Sequence, residues 1–185
     1  MAQLSSLRIA VIATDGVEEA ELSEPLRALK ESGAQAEVIA PHDGPIQAFR
    51  HHDKSTRIAV DQTLDRAKPE DYDALVLPGG ALNADALRVE PRAQAFVRHM
   101  QQAGKPIAVI CHAPWILISA GVVSGRTLTS YHTIADDLRN AGAHWQDQQV
   151  VVEGNWVSSR HPGDLEAFNR ELLRKLAAVP SPAQR

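Results

Sequence analysis

The chain has one cysteine, Cys111, followed by His112, Ala113 and Pro114 and preceded by the apolar run Ile107 to Ile110. A thiol between a buried strand and a helix sits on a tight turn, where the helix dipole and free backbone N–H groups favour a thiolate. This is the arrangement of a nucleophile elbow. The adjacent imidazole of His112 is a candidate activating base, and backbone N–H groups of His112, Gly79 and Gly80 are candidate donors to an oxyanion. Asp15-Gly16-Val17-Glu18 supplies a third polar segment after an apolar run. Each feature also has an ordinary reading: a buried packing cysteine, a capping-box glutamate and a simple Pro-Gly-Gly turn. What sets them apart is that all three are placed at strand ends.

The other histidines carry weaker expectations. His51 and His52 are adjacent in a polar stretch, where neighbouring side chains diverge and a third metal ligand is missing. His99 lies in a helical pattern. His132 after Tyr131, and His161 before Pro162, are placed where they could approach the cysteine cleft. No metal site and no cofactor is expected, and one cysteine excludes both an internal disulfide and a Cys-rich zinc site.

The elements that must hold these groups follow from the apolar pattern. Leu7–Ala13, Ala36–Ala40, Asp73–Leu77 and Pro106–Ile110 read as short buried strands. Leu22, Leu26 and Leu29 mark a helix ended by Gly33, opened by an Asp15/Glu18 capping box and kinked at Pro25. The polar stretch 51–55 suggests a hairpin or excursion at the sheet edge. Helices are predicted over 91–102, after Pro114, over 134–141 and over 165–176, with a strand at 128–130. Glu153-Gly154-Asn155 signals a hairpin between Val150–Val152 and Trp156–Ser158. Alternating strands and helices predict a mainly parallel sheet covered on both faces, with ligands bound beyond the carboxyl ends of its strands.

Length and composition bound the answer. The 185 residues suit one domain over 1–185, with a core at about 7–178 and a tail at 179–185. Hydrophobic residues make up 44% and charged residues 23%, which suits a packed globular chain. A net charge of −4 gives no reason to expect a nucleic-acid partner or an anionic membrane surface. The apolar runs are too short to span a bilayer, and the start lacks a signal-peptide pattern, so a cytoplasmic location is expected.

Ala108-Val109-Ile110-Cys111-His112-Ala113-Pro114, Leu75-Val76-Leu77-Pro78-Gly79-Gly80, Gly16-Val17-Glu18-Glu19 and Gly154-Asn155-Trp156-Val157-Ser158-Ser159-Arg160 together resemble the PfpI family. That family belongs to the ThiJ/PfpI group of the class I glutamine amidotransferase-like superfamily. The resemblance runs from about Arg8 to Leu176. It implies a flavodoxin-like α/β three-layer sandwich, a mainly parallel sheet with a cysteine elbow, and a homodimer or higher homo-oligomer. It also implies Cys111 as nucleophile, His112 as its neighbouring histidine and Glu18 as the acid bonded to the sulfur. On that reading Glu18 stays protonated and the thiol pKa falls. Peptidase-like members place an acid, supplied by a neighbouring subunit, where this chain has Ala84; Asp85, one residue on, is the candidate substitute.

Three functions compete for this site. The first is a cofactor-independent glyoxalase or deglycase, a stress-response enzyme acting on small carbonyl compounds or their protein and peptide adducts. The second is an oligomer-dependent intracellular cysteine peptidase. The third is a non-enzymatic stress protein with an oxidisable cysteine.

Overall fold

The computed structural model describes residues 4–180. In chain order the first half comprises β1 (Arg8–Ile12), β2 (Val17–Glu18), α1 (Glu19–Glu31), β3 (Gln35–Ala40), β4 (Ile46–Arg50), β5 (Asp53–Ile58), β6 (Gln62–Thr63), β7 (Ala74–Leu77) and α2 (Ala81–Arg88). The second half comprises α3 (Pro91–Gln102), β8 (Ile107–Ile110), α4 (Pro114–Ser119), β9 (Thr127–Leu128), α5 (Ala135–Asn140), β10 (His144–Trp145), β11 (Val150–Glu153), β12 (Trp156–Ser159) and α6 (Leu165–Ala177). Seven strands form the central sheet in the order β11-β12-β8-β7-β1-β3-β6. Every neighbouring pair is parallel except the β11–β12 hairpin.

The inner strands are short and apolar because helices cover both faces, leaving no face for polar side chains. On one face Leu22 and Leu29 of α1 pack with Phe168, Leu172 and Leu176 of α6 over Ile9, Val11, Val76 and Ile110. On the other, Leu87, Phe96, Ile116 and Leu138 from α2, α3, α4 and α5 pack over Ala10, Ile12, Leu75 and Val109. This is the expected three-layer α/β sandwich. Chain direction across the sheet reverses at β1, which has β3 on one side and β7 on the other. The loops after β1, β7 and β8 therefore open on one crevice, the usual ligand position in such sheets.

Several local expectations change. The 46–60 hairpin forms as β4 and β5, but it joins β2 in a separate three-stranded sheet and does not extend the main one. The main-sheet edge is the two-residue β6 instead. The strand at 128–130 is only Thr127–Leu128, paired with β10 outside the central sheet. The Asp15/Glu18 capping box does not form: Glu18 occupies the N-cap position of α1 without a side-chain cap bond. Asp15 is occupied elsewhere, accepting from Gln47 N–H at 2.7 Å and meeting His42 Nε2 at 2.9 Å. Pro25 lies within α1 without dividing it. Helix α2 carried too few regularly spaced apolar residues to be predicted. Of the tail expected from 179, residues 181–185 lie outside the described residues, whereas Val179 still packs on the core.

Candidate active site

Cys111 leaves β8 with φ of 64°, in the left-handed region that non-glycine residues avoid. Among the described non-glycine residues only His51, with φ of 57°, shares that sign. The turn is over-determined by its neighbours: Cys111 N–H donates to Ser159 O at 3.1 Å, and Tyr131 N–H donates to Cys111 O at 2.8 Å. The elbow thus raises the thiol above the sheet, into the crevice.

The carboxyl that meets this thiol belongs to Glu21, not to Glu18. Glu21 is fully buried on the inner face of α1; its Oε2 accepts the Gly79 N–H at 2.8 Å, its Oε1 has no hydrogen-bond partner among the described residues, and its carboxyl lies close enough to the Cys111 thiol to perturb it. Glu18 makes no bond to the thiol; its Oε2 accepts the His51 N–H at 3.0 Å, which ties the β4–β5 turn to the cavity edge. The reason is helical geometry: Glu18 ends a strand paired to β4, whereas Glu21 falls one turn into α1 in phase with the buried Pro25 and Leu29. Burial pushes the Glu21 carboxyl up to about 8, so at neutral pH it is mainly protonated.

The thiol does not become the low-pKa group that the resemblance implied. Burial pushes it well above its ordinary value, and Glu21 pushes in the same direction. The N–H groups of Gly80 and His112 oppose this without reversing it. The dipole contribution is small because α4 is a six-residue helix opening on Pro114, which has no N–H to offer. The resting site is therefore a neutral thiol beside a neutral carboxylic acid.

His112 sits against that thiol, with Nδ1 at 3.1 Å from Sγ. Its ring stacks on Tyr131 at 4.7 Å and meets the edge of Trp115 at 5.4 Å, which fixes its plane. Its Nε2 is 3.4 Å from Thr133 Oγ1. Burial, and then the nearby His132, lower its pKa, so the imidazole is neutral at pH 7. The backbone N–H groups of Gly80 and His112 lie near enough to the sulfur to favour its charged form, but the Gly79 N–H is committed to Glu21. Gly79 is required for another reason: a side chain there would collide with Glu21 Oε2 and Cys111 Cβ. Gly80, with φ of 90°, also runs against Gly16 O and Glu18 N, leaving no room for a Cβ.

Asn83 joins the loops after β1 and β7, and sequence reasoning assigned it nothing. It is fully buried; Oδ1 accepts from Thr14 N–H at 2.8 Å and Nδ2 donates to the carbonyls of Pro78 and Gly79, both at 3.0 Å. Asp85, by contrast, is exposed on α2 and does not border the cavity, while Ala84 is buried in the core. Asp85 therefore does not reach His112 of its own chain; it was expected to act from a neighbouring subunit, and it lies on the surface.

These groups line a cavity of about 980 Å³. Glu18, Glu21, Gly80, Leu82, Cys111 and His112 border it, as do Phe49, Tyr131 and Thr133. His132 and His161 reach it as expected, and so do His51 and His52, which the hairpin folds over its mouth. His161 Nδ1 accepts the Gly163 N–H at 3.2 Å. No cluster of three metal-ligating side chains occurs among the described residues. A second depression, of about 530 Å³, lies at the amino ends of the strands by Lys105, Asn155 and Lys175 and contains no thiol or imidazole.

Comparison with known proteins places this site among relatives. The model of the DJ-1/PfpI family matches residues 7–175. Deglycase TK1284 of Thermococcus kodakarensis is 45% identical over 170 residues, which is 92% of this chain and 99% of that protein. Protein/nucleic acid deglycase 2 of Escherichia coli is 41% identical over 174 residues, covering 94% and 99%. The crystal structure of Drosophila melanogaster DJ-1beta superposes with a TM-score of 0.86 at 30% identity, covering 93% of this chain and 91% of that one.

Proposed function

The chain belongs to the DJ-1/PfpI family, and we propose that it is a cofactor-independent deglycase or glyoxalase acting through Cys111 on reactive carbonyls and their early protein or peptide adducts. The observation that carries this reading is the Cys111 thiol held 3.1 Å from His112 Nδ1, in a cavity that Glu21 also borders. The thiol adds to the aldehyde carbon of a 2-oxoaldehyde, forming an S–C bond as its proton passes to His112 and the carbonyl oxygen becomes a hydroxyl. With an early amine adduct, the same sulfur displaces the amine, which leaves protonated. Moving the C1 proton to C2 of the hemithioacetal and the C1 hydroxyl proton to the C2 oxygen, by way of an enediol, converts it to a thioester of a 2-hydroxy acid. Water then releases the 2-hydroxy acid and returns the thiol. The N–H groups of Gly80 and His112 support the oxyanions of addition and hydrolysis.

Peptide hydrolysis asks more of the same residues, because an imidazolium must persist to protonate a poor amine leaving group. Among the described residues of one chain, the polar side chains bonded to His112 are Cys111 and, at Nε2, the Thr133 hydroxyl. We further propose a cytoplasmic homo-oligomer with the Cys111 cavity near the subunit interface. No helix among the described residues is long and apolar enough to cross a membrane.

Turnover of methylglyoxal and of its early lysine adduct by wild type and Cys111→Ala, beside a small peptide panel, tests the reading. Carbonyl turnover that vanishes in Cys111→Ala is expected. Carbonyl turnover persisting in the variant refutes it. Cysteine-dependent peptide cleavage without carbonyl turnover turns the assignment to a peptidase, and oxidation without any turnover to a redox-responsive protein.

A further inference from the structure

We infer that Thr133 is the outer member of a proton relay, Cys111 Sγ to His112 Nδ1 and His112 Nε2 to Thr133 Oγ1, through which the buried thiol exchanges its proton with solvent. The inference rests on the proposed thiol chemistry and adds to it a residue and a path. Three observations carry it. The two contacts are in series, at 3.1 Å on one ring nitrogen and 3.4 Å on the other. The ring is fixed in plane by Tyr131 and Trp115, so both contacts are made by one rotamer. Thr133 is exposed, whereas Cys111 is buried, so the path runs from the interior to water.

A hydroxyl at this place has a consequence that a carboxylate would not. A carboxylate only accepts, and it would hold the ring as an imidazolium once the thiol proton arrived. A hydroxyl both donates and accepts. With a thiol at rest, Nδ1 accepts the S–H and Nε2–H donates to Oγ1. As sulfur attacks, the thiol proton moves to Nδ1, the Nε2 proton moves to Oγ1, and the hydroxyl proton passes to water. The ring ends as the other neutral tautomer, and the thiol proton is in effect delivered by solvent to the new alkoxide. Each atom ends with its normal valence, and no imidazolium is needed. When the thioester is hydrolysed the transfers run in reverse.

The surroundings suit a neutral carrier. The His132 ring is tilted against that of Tyr131 at 4.6 Å, and electrostatic repulsion from it opposes a charge on His112. The other titratable groups bordering the cavity are Glu18, His51, His52, Tyr131 and His161, together with Cys111 and Glu21.

The test compares Thr133→Val, which keeps the shape and loses the hydroxyl, with Thr133→Ser, which keeps the hydroxyl. Methylglyoxal turnover is measured beside the ring-nitrogen NMR shifts of His112, with His112→Gln as reference. Thr133→Val is expected to lower kcat roughly 5–20-fold with KM within about twofold, a part of the usual general acid–base contribution. The His112 shifts should move from a dominant Nε2–H tautomer to a mixture, and Thr133→Ser should restore both. Wild-type kcat and shifts in Thr133→Val overturn the relay. A fall in kcat with unchanged shifts, or one that Ser does not rescue, also overturns it by assigning Thr133 a structural role. If His112→Gln itself keeps full turnover, the failure lies in the underlying thiol–imidazole reading and not only in Thr133.

Discussion

A carboxyl buried without a cation is costly unless it keeps its proton, and Glu21 keeps it up to about pH 8. The sign of its effect on stability follows. Below about pH 4.5 the carboxyl is protonated in both native and unfolded chains and has no ionisation cost. Between there and about 8 the unfolded chain has released a proton that the native state retains, so native stability falls with rising pH. Glu21→Gln keeps an acceptor for the Gly79 N–H and removes the titration. Urea unfolding at pH 5 and pH 8.5 should show the variant gaining about 2–4 kcal/mol over wild type across that interval. Parallel pH profiles would assign the proton elsewhere. Cys111 and His112 were legible in the sequence because the apolar run, the elbow and the Pro-terminated motif are contiguous. Glu21 was not, because Glu18 satisfied the capping-box spacing and a carboxyl among Leu22, Pro25 and Leu29 reads as a solvent-facing helical residue. The signal was present: positions 21, 25 and 29 recur at i, i+4 and i+8 on the buried stripe.

At the level of elements, the site depends on loops held by polar side chains that periodicity does not reveal. Asn83 binds the turn after β7 to the turn after β1. Asp164, buried beneath the loop after β12, receives Arg160 Nε at 2.9 Å, Nη2 at 3.1 Å and the Arg160 N–H at 3.1 Å. That loop presents His161 to the cavity. Asp164→Ala should cost about 1–3 kcal/mol, because it removes three bonds from Arg160 at once and leaves the guanidinium only its 2.9 Å pair with the exposed Asp147. A thermal melt would register the loss, and a substitution costing less than about 1 kcal/mol would show the pair to be incidental. The hairpin after β3 was foreseen as a hairpin but misplaced, since its pairing partner is a two-residue strand, Val17–Glu18, too short to carry any alternation. The inner strands β1, β7 and β8 were read correctly for the opposite reason: buried on both faces, each is a nearly unbroken apolar run.

For the whole molecule, the sheet order and the two apolar layers account for where the site lies, but one surface has no explanation within the chain. Leu82 and Val89 on the α2 segment are 63% and 72% exposed, with Asp85 exposed between them. Positions 82, 85 and 89 fall on one face of that helix, and Leu82 borders the Cys111 cavity as well. An apolar strip of this kind beside a site is stabilised when a second copy of the chain covers it, and two-fold symmetry is the commonest arrangement for such a contact. It also places Asp85, which reaches nothing in its own cavity, where it could meet a neighbour's. Light scattering at micromolar concentration should therefore report a species of about 40 kDa or larger, not the 20.1 kDa chain. Leu82→Glu should shift it towards the monomer, because two carboxylates would be brought together across the axis and stripped of water. A wild-type chain that stays at 20.1 kDa would leave the α2 strip open to solvent and remove any role for Asp85 in a neighbouring site.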